Sequence, residues 1–102
     1  MAYETASRIV SGRKTVAVAG VAEKLVSSAT GCFKVLISAD LANTSPVVVG
    51  DSSIVAALDS QQGVVLTPGN PPVEFPIRDV SKIYVNAITN GDSVCFVYFA
   101  TS

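Results

Sequence analysis

The chain has 102 residues and a mass of 10.5 kDa, enough for one compact domain that buries roughly two-thirds of its unfolded surface and too short for two. It is 49% hydrophobic, only 15% charged and has a mean hydropathy of +0.49; an average soluble domain carries ~25% charge, and this balance excludes intrinsic disorder. A net charge of −1 without a Lys/Arg cluster leaves no footprint for nucleic acid or an anionic membrane.

No apolar run approaches the ~20 residues of a membrane-spanning helix. The start, Met1 to Arg8, lacks the basic and apolar regions of a signal peptide, so the chain is expected to be made and used without export. Short β-rich segments separated by turn residues dominate, the spacing of an all-β sandwich or barrel.

Residues 1–14 read as an N-terminal arm, because Ser11-Gly12-Arg13-Lys14 is polar and breaks the pattern. Thr15–Ala19 alternates weakly and stops at Gly20; Val21–Val26 follows as a short strand before the Ser27–Gly31 turn. The clearest strand is Cys32–Asp40, whose apolar run is interrupted by Lys34, so both faces are expected to be covered in a central position. Leu41–Pro46 is a loop with Asn, Ser and Pro turn chemistry, and it delivers Val47–Val49 to Gly50-Asp51. Residues 52–62 read two ways. Ile54, Ala57 and Leu58 would share a helical face, whereas the Ser, Asp and Gln content favours a long loop with an irregular strand.

Gly63–Leu66 is a short strand that ends in a Pro68-Gly69 turn. Pro76 confines Val73–Ile77 to a sheet edge, because it cannot donate to a ladder. Lys82–Ile88 alternates, with Ile83, Val85 and Ala87 on one side. Thr89-Asn90-Gly91-Asp92 then predicts a type I′ hairpin turn onto Ser93–Ala100, the most secure antiparallel pair in the chain. No linker or repeat divides the sequence, so a single domain spans residues 1–102.

Charge is unevenly placed. Residues 1–34 hold five cations (Arg8, Arg13, Lys14, Lys24, Lys34) against two acids, and residues 35–102 hold two cations against six acids. A basic N-terminal segment that seeks an acidic partner surface would produce this split; so would an ordinary solvated face. Cys32 and Cys95 lie among apolar strand residues, and with no His in the chain they lack a zinc-site companion or a base to activate a thiolate. A disulfide is the alternative to two reduced, buried thiols that act as small hydrophobes. The reduced state is expected, since nothing points to an oxidising compartment.

Without His the usual acid–base group and triad base are missing. Carboxylate pairs drawn from Asp40, Asp51, Asp59, Asp79 and Asp92 remain for glycoside chemistry, but each sits at a strand end or turn, where Asp is expected to bond backbone. Gly50-Asp51-Ser52-Ser53 lacks the Gly spacing and Lys of a phosphate loop. No alternating Asp/Asn ladder with a closing Glu offers a calcium site. Phe33, Phe96, Tyr98 and Phe99 read as core and strand-face residues rather than a base-stacking platform. No catalytic, cofactor-binding or metal-binding residue is expected, and a structural or interaction role fits better than an enzyme.

One longer pattern stands out: Lys34-Val35-Leu36-Ile37-Ser38-Ala39-Asp40, then Asn43-Thr44-Ser45-Pro46-Val47-Val48-Val49-Gly50, Gly63-Val64-Val65-Leu66-Thr67-Pro68-Gly69, Val80-Ser81-Lys82-Ile83-Tyr84-Val85, and Asn90 to Tyr98. In that order it resembles small virion structural proteins of tailed bacteriophages over roughly residues 24–99. The resemblance implies a jelly-roll-like β-sandwich that acts as a capsid decoration, or cement, protein. Such a protein would sit on the capsid exterior as a dimer or trimer after assembly in the host cytoplasm, and would brace adjacent major capsid proteins. Arg8, Arg13 and Lys14 would then be the candidate partner contacts, lying along the capsid or a sister subunit. The alternative is a head-fibre or tail-associated module that binds a receptor or carbohydrate, which calls for exposed aromatics converging with polar groups in a groove.

Overall fold

A computed structural model describes residues 8–101. Apart from one 3-10 turn, Val80–Lys82, every regular element among them is a strand: β1 (Arg8–Thr15), β2 (Glu23–Lys24), β3 (Cys32–Ala39), β4 (Val47–Gly50), β5 (Val64–Leu66), β6 (Val73–Phe75), β7 (Tyr84–Ala87) and β8 (Ser93–Ala100). Among the described residues no helix is long and apolar enough to cross a membrane. The strands form two antiparallel four-stranded sheets, ordered β1-β8-β3-β6 and β2-β7-β4-β5. Only β4 and β5 are both consecutive in sequence and paired; every other connection carries the chain to the opposite sheet.

Alternation makes this arrangement possible. In β3, Val35, Ile37 and Ala39 are buried while Lys34, Leu36 and Ser38 are half-buried on the other face. In β8, Val94 and Phe96 point the same way as those three, toward one apolar cluster. The second sheet supplies Val47, Val49, Leu66, Val85 and Ala87 to that same cluster, and Val16, Leu25, Val80 and Ile83 from the connections complete it. Side chains branched at Cβ suit a pleated, half-buried surface. Full burial of each valine contributes roughly 1.5–3 kcal/mol. β3 is central, between β8 and β6, and its pairing with β8 shifts register between Cys32 and Val35.

Several expected elements stand where the sequence placed them. Cys32–Asp40, Val47–Val49 and Gly63–Leu66 correspond to β3, β4 and β5, and Val73–Ile77 contains β6 at a sheet edge. Pro68 and Gly69 form a turn closed by the Asn70 N–H donating to the Thr67 carbonyl at 3.1 Å. Residues 52–62 are a loop with one isolated bridge, Val55 to Gln62.

The structure differs from expectation in two regions, the N-terminal quarter and the Thr89–Asp92 turn. Residues 8–14 belong to β1, paired with β8 along its whole length from Arg8–Ala100 to Thr15–Ser93, while Met1–Ser7 lie outside the described residues. Thr15–Ala19 accordingly contributes only the end of a strand, and Val21–Val26 narrows to the two residues of β2.

The second difference is at Thr89–Asp92, which is no hairpin. β7 pairs with β2 and β4, and β8 pairs with β1 and β3. The turn explains why: Gly91 has φ +88°, no non-glycine residue among the described ones, Asn90 included, has positive φ, and the Asp92 N–H donates to the Thr89 carbonyl at 3.3 Å. A single positive φ at the third position is a type II turn, which splays its flanking strands, whereas a hairpin needs the opposite twist of types I′ or II′.

A smaller apolar cluster lies on the other face of β2-β7-β4-β5. There Ile54 and Ala56, from the 51–62 loop, close over Val48, and Ala22, Tyr84 and Ile88 pack around them. Gly63 is the tight point, at φ +124°, where a Cβ would lie 2.7 Å from Val48 Cγ1, 2.9 Å from Ile54 Cγ2 and 3.1 Å from the Val49 carbonyl oxygen. Gly63→Ala therefore combines a disfavoured backbone with a clash against main chain, and is expected to cost about 2–4 kcal/mol in urea denaturation. A change below about 0.5 kcal/mol, the range of an ordinary surface substitution, would contradict this placement.

Candidate functional site

The three candidate contact cations sit on β1, but not on one surface. Arg13 projects from the face turned away from the core and pairs with Asp40, its side chain still 57% exposed. Lys14, next along the strand, points to the other side and reaches Glu23 of β2 at 2.9 Å, so this ion pair joins the two sheets at their rim. Arg8 also has an interaction partner. Burial alone would raise the Glu23 carboxyl, but bonding to Lys14 and to the Ala17 and Val18 N–H groups holds it below the usual carboxylate range. The cations expected on an arm are thus part of the folded domain, with Arg13 the one placed on an outward face.

All five aspartates make turn or capping bonds. Asp40 accepts the Ala42 N–H, Asp51 accepts the Ser53 N–H and hydroxyl, and Asp59 accepts the Ser60 hydroxyl. Asp79 caps the 3-10 turn by accepting from the Ser81 N–H and hydroxyl, and it also holds the Thr30 N–H. Asp92 is buried and gathers the Thr44 N–H at 3.0 Å, the Ser45 N–H at 3.1 Å and the Thr44 hydroxyl at 3.3 Å. Beside it Asn43 exchanges two bonds with the Ser93 backbone, donating to its carbonyl at 2.8 Å and accepting its N–H at 2.7 Å. The loop before β4 is thereby locked to the turn before β8. Among the described residues no group of three or more His, Cys, Asp and Glu is placed to hold a metal ion.

Both cysteines are free. Cys32 is buried, donates to the Ile77 carbonyl, and its thiol is pushed up by burial and then by the charge of Asp79. Cys95 is half-buried on the opposite face of the same sheet, opposite Ser38, whereas Cys32 is opposite Ala100. Facing opposite ways and separated along the strands, the two thiols cannot meet.

Cys95 lies on the face of β1-β8-β3-β6 turned away from the core, which is half open to solvent. Antiparallel pairing sets Ile9 opposite Phe99, Ser11 opposite Val97, Arg13 opposite Cys95, and on the far side Val97 opposite Leu36 and Leu36 opposite Glu74. The result is an apolar strip of Ile9, Phe99, Val97, Leu36 and Cys95 with charges at its edges. Lys34 lies 5.2 Å from the centre of the Phe99 ring and 3.7 Å from Glu74. A depression of ≈ 340 Å³ opens beside Gly12, Leu36, Cys95 and Val97. The sequence carried a signal for this strip, alternate apolar residues on Cys32–Asp40 and Ser93–Ala100, but the polar reading of residues 8–14 hid the contribution of Ile9. No family model, no curated protein and no solved structure matches the chain.

Two outcomes follow from the polar network. Asp92→Ala would strand two backbone N–H groups and a hydroxyl in a half-buried loop, and is expected to cost about 2–3 kcal/mol by urea denaturation; an unchanged midpoint would contradict the locking role.

The second concerns acid. The Asp79 carboxyl is lowered, first by the Thr30 N–H and then by the Ser81 hydroxyl and N–H, and that of Asp51 by Ser53. A lowered folded value means that the stabilisation is complete above the ordinary 3.8 and is lost as pH falls through the folded value. Thermal melts of Asp79→Asn between about pH 5 and about pH 2 should therefore show a smaller loss of stability than the parent chain, and equal slopes would contradict the assignment.

Proposed function

We propose that the chain is a noncatalytic bacteriophage capsid decoration protein, a jelly-roll β-sandwich that binds the outer capsid surface and stabilises contacts between major capsid proteins. The observation that carries the fold reading is the strand order. β1·β8, β2·β7, β3·β6 and β4·β5 are all paired, as in one long ribbon folded on itself at the β4–β5 connection. Rolling that ribbon would place alternate pairs in opposite sheets, joined by β8·β3 and β7·β4, and this order supports a double-sheet jelly roll of the kind used by viral capsid and lectin domains. The apolar cluster shared by both sheets supports the sandwich.

Fold alone does not fix function, and the disposition of side chains supports assembly over ligand recognition. The aspartates are engaged in turns. Phe96 and Tyr98, with ring centroids 6.2 Å apart, and Phe75 pack on the core, Tyr84 packs against the second cluster, and Phe99 lies under Lys34. A carbohydrate-binding groove would instead gather aromatics with polar groups at one end of the sheets. Bracing a capsid needs contact area across subunit joints and no proton transfer. The virion exterior is the corresponding location, with the major capsid protein as partner.

The experiment is reconstitution. Purified chain added to phage capsids that lack it should co-sediment with them and raise their resistance to heat or internal pressure. Failure to bind, with capsid stability unchanged, would overturn the decoration role.

A further inference from the structure

The two sheets differ in how their core-averted faces are covered. On β2-β7-β4-β5 the 51–62 loop covers much of that face: the Val55 and Gln62 backbones exchange bonds of 3.0 and 2.9 Å, and Ile54 and Ala56 seat on Val48, while Val65 at the β5 edge stays exposed. On β1-β8-β3-β6 the corresponding face carries the open apolar strip, with Ile9 66% exposed at one end and the ≈ 340 Å³ depression near its middle. We infer that a second copy of this chain covers that face, two protomers packing their β1-β8-β3-β6 sheets together about a two-fold axis parallel to the strands.

Area and charge both point to a second copy. Three eight-residue strands and the three-residue β6, spaced ~4.8 Å apart, project roughly 440 Å². The accessible surface of such a corrugated face exceeds its projection, bringing it near the ~600–800 Å² per partner of a modest stable interface. The face also carries its own electrostatic complement. Arg13, 57% exposed, marks the β1 edge, and Glu74, 53% exposed, marks the β6 edge.

A two-fold axis parallel to the strands exchanges those edges and brings Ser11 level with the partner's Glu74; Arg13, two residues or ~7 Å further along the strand, reaches the partner's Glu74 through its long side chain, twice per dimer. An in-plane axis perpendicular to the strands would superpose like edges, Glu74 on the partner's Glu74, and is opposed by repulsion. Self-complementarity of one patch is what a two-fold dimer requires. Lys34 reinforces the arrangement, because its contacts with Phe99 and Glu74 keep it partnered as the strip is covered. The choice of face goes beyond the dimer or trimer that the capsid reading implies, and its readout, the mass of the free protein, is separate from capsid binding.

The test is sedimentation equilibrium of the full chain, Arg13→Glu, Glu74→Arg and an equimolar mixture of the two variants. The parent chain should sediment at twice its 10.5 kDa mass. Each variant alone sets like charges together at both contacts and should weaken self-association on the order of 100-fold. The mixture should restore the dimer, because every Glu then meets an Arg across the axis. Maleimide labelling of Cys95 provides a second readout: slow in the dimer, faster in either variant alone, slow again in the mixture, with buried Cys32 as the internal reference.

A parent chain that stays monomeric near millimolar concentration, a mixture that associates no better than its components, or a dimer in which Cys95 labels as fast as in the variants would each overturn the inference. Should either charge variant fail to fold, Val97→Lys at the centre of the strip serves in its place and must give a folded monomer. Capsid binding by a folded, monomeric variant separates loss of pairing from loss of the decoration role.

Discussion

A single apolar cluster, built largely of valine and shared by both sheets, is the constraint on which the rest of the molecule depends. Because all but one of the connections leave one sheet for the other, consecutive strands cannot stabilise one another by pairing. Their common interest is the cluster of Val35, Ile37, Val94 and Phe96 from one sheet with Val47, Val49, Leu66 and Val85 from the other. Strand pairing is correspondingly long-range, with β1 beside β8 and β2 beside β7. Such a topology closes long loops before its contacts form and folds slowly. The 3-10 turn at Val80–Lys82 and the bonds of Asp79, Asp92 and Asn43 hold the crossings in place.

That constraint also decides what the polar residues do. In a chain with so few charges, carboxylates at strand ends are taken up by neighbouring N–H groups, and two of the N-terminal cations form ion pairs inside the domain. The sheet face bearing Ile9, Leu36, Val97 and Phe99 is left half open, beside isolated exposed loop residues such as Leu41 and Leu58. In the assembly role proposed above, the same face that would join two copies leaves the loops at either end of the sheets for a larger partner.

Much of the fold was legible where a residue's local chemistry and its tertiary environment agree. Cys32–Asp40 reads as a central strand from its nearly unbroken apolar run, and β3 is central, but only the Val35-Ile37-Ala39 face is buried and the other, expected to be covered, is half open; Pro76 restricts its strand to an edge because a ladder needs an N–H. The Asp residues were correctly legible as turn formers. β1 was not legible, since an edge strand half open to solvent has little apolar alternation to display, and its inward positions are Val10, Gly12 and Lys14. Gly12 is there because a Cβ would come 2.5 Å from the Phe96 ring, a cause that lies eighty-odd positions away. The Asn90-Gly91 turn misleads for a related reason. Local preference allows both hairpin and type II geometry, and the choice is made by which sheets β7 and β8 must join. The open face was visible only in halves, because its strip is assembled from β1, β8 and β3 together.

The most direct measurement is an NMR map of close contacts between strand protons in the free protein. The account predicts cross-strand contacts of Leu36 with Val97, Ile9 with Phe99 and Val49 with Val85, and none between the β7 backbone and β8. A ladder of contacts running from the Thr89–Asp92 turn along β7 and β8, the pattern of a hairpin, would contradict the two-sheet crossing and with it the surface on which the assembly role rests.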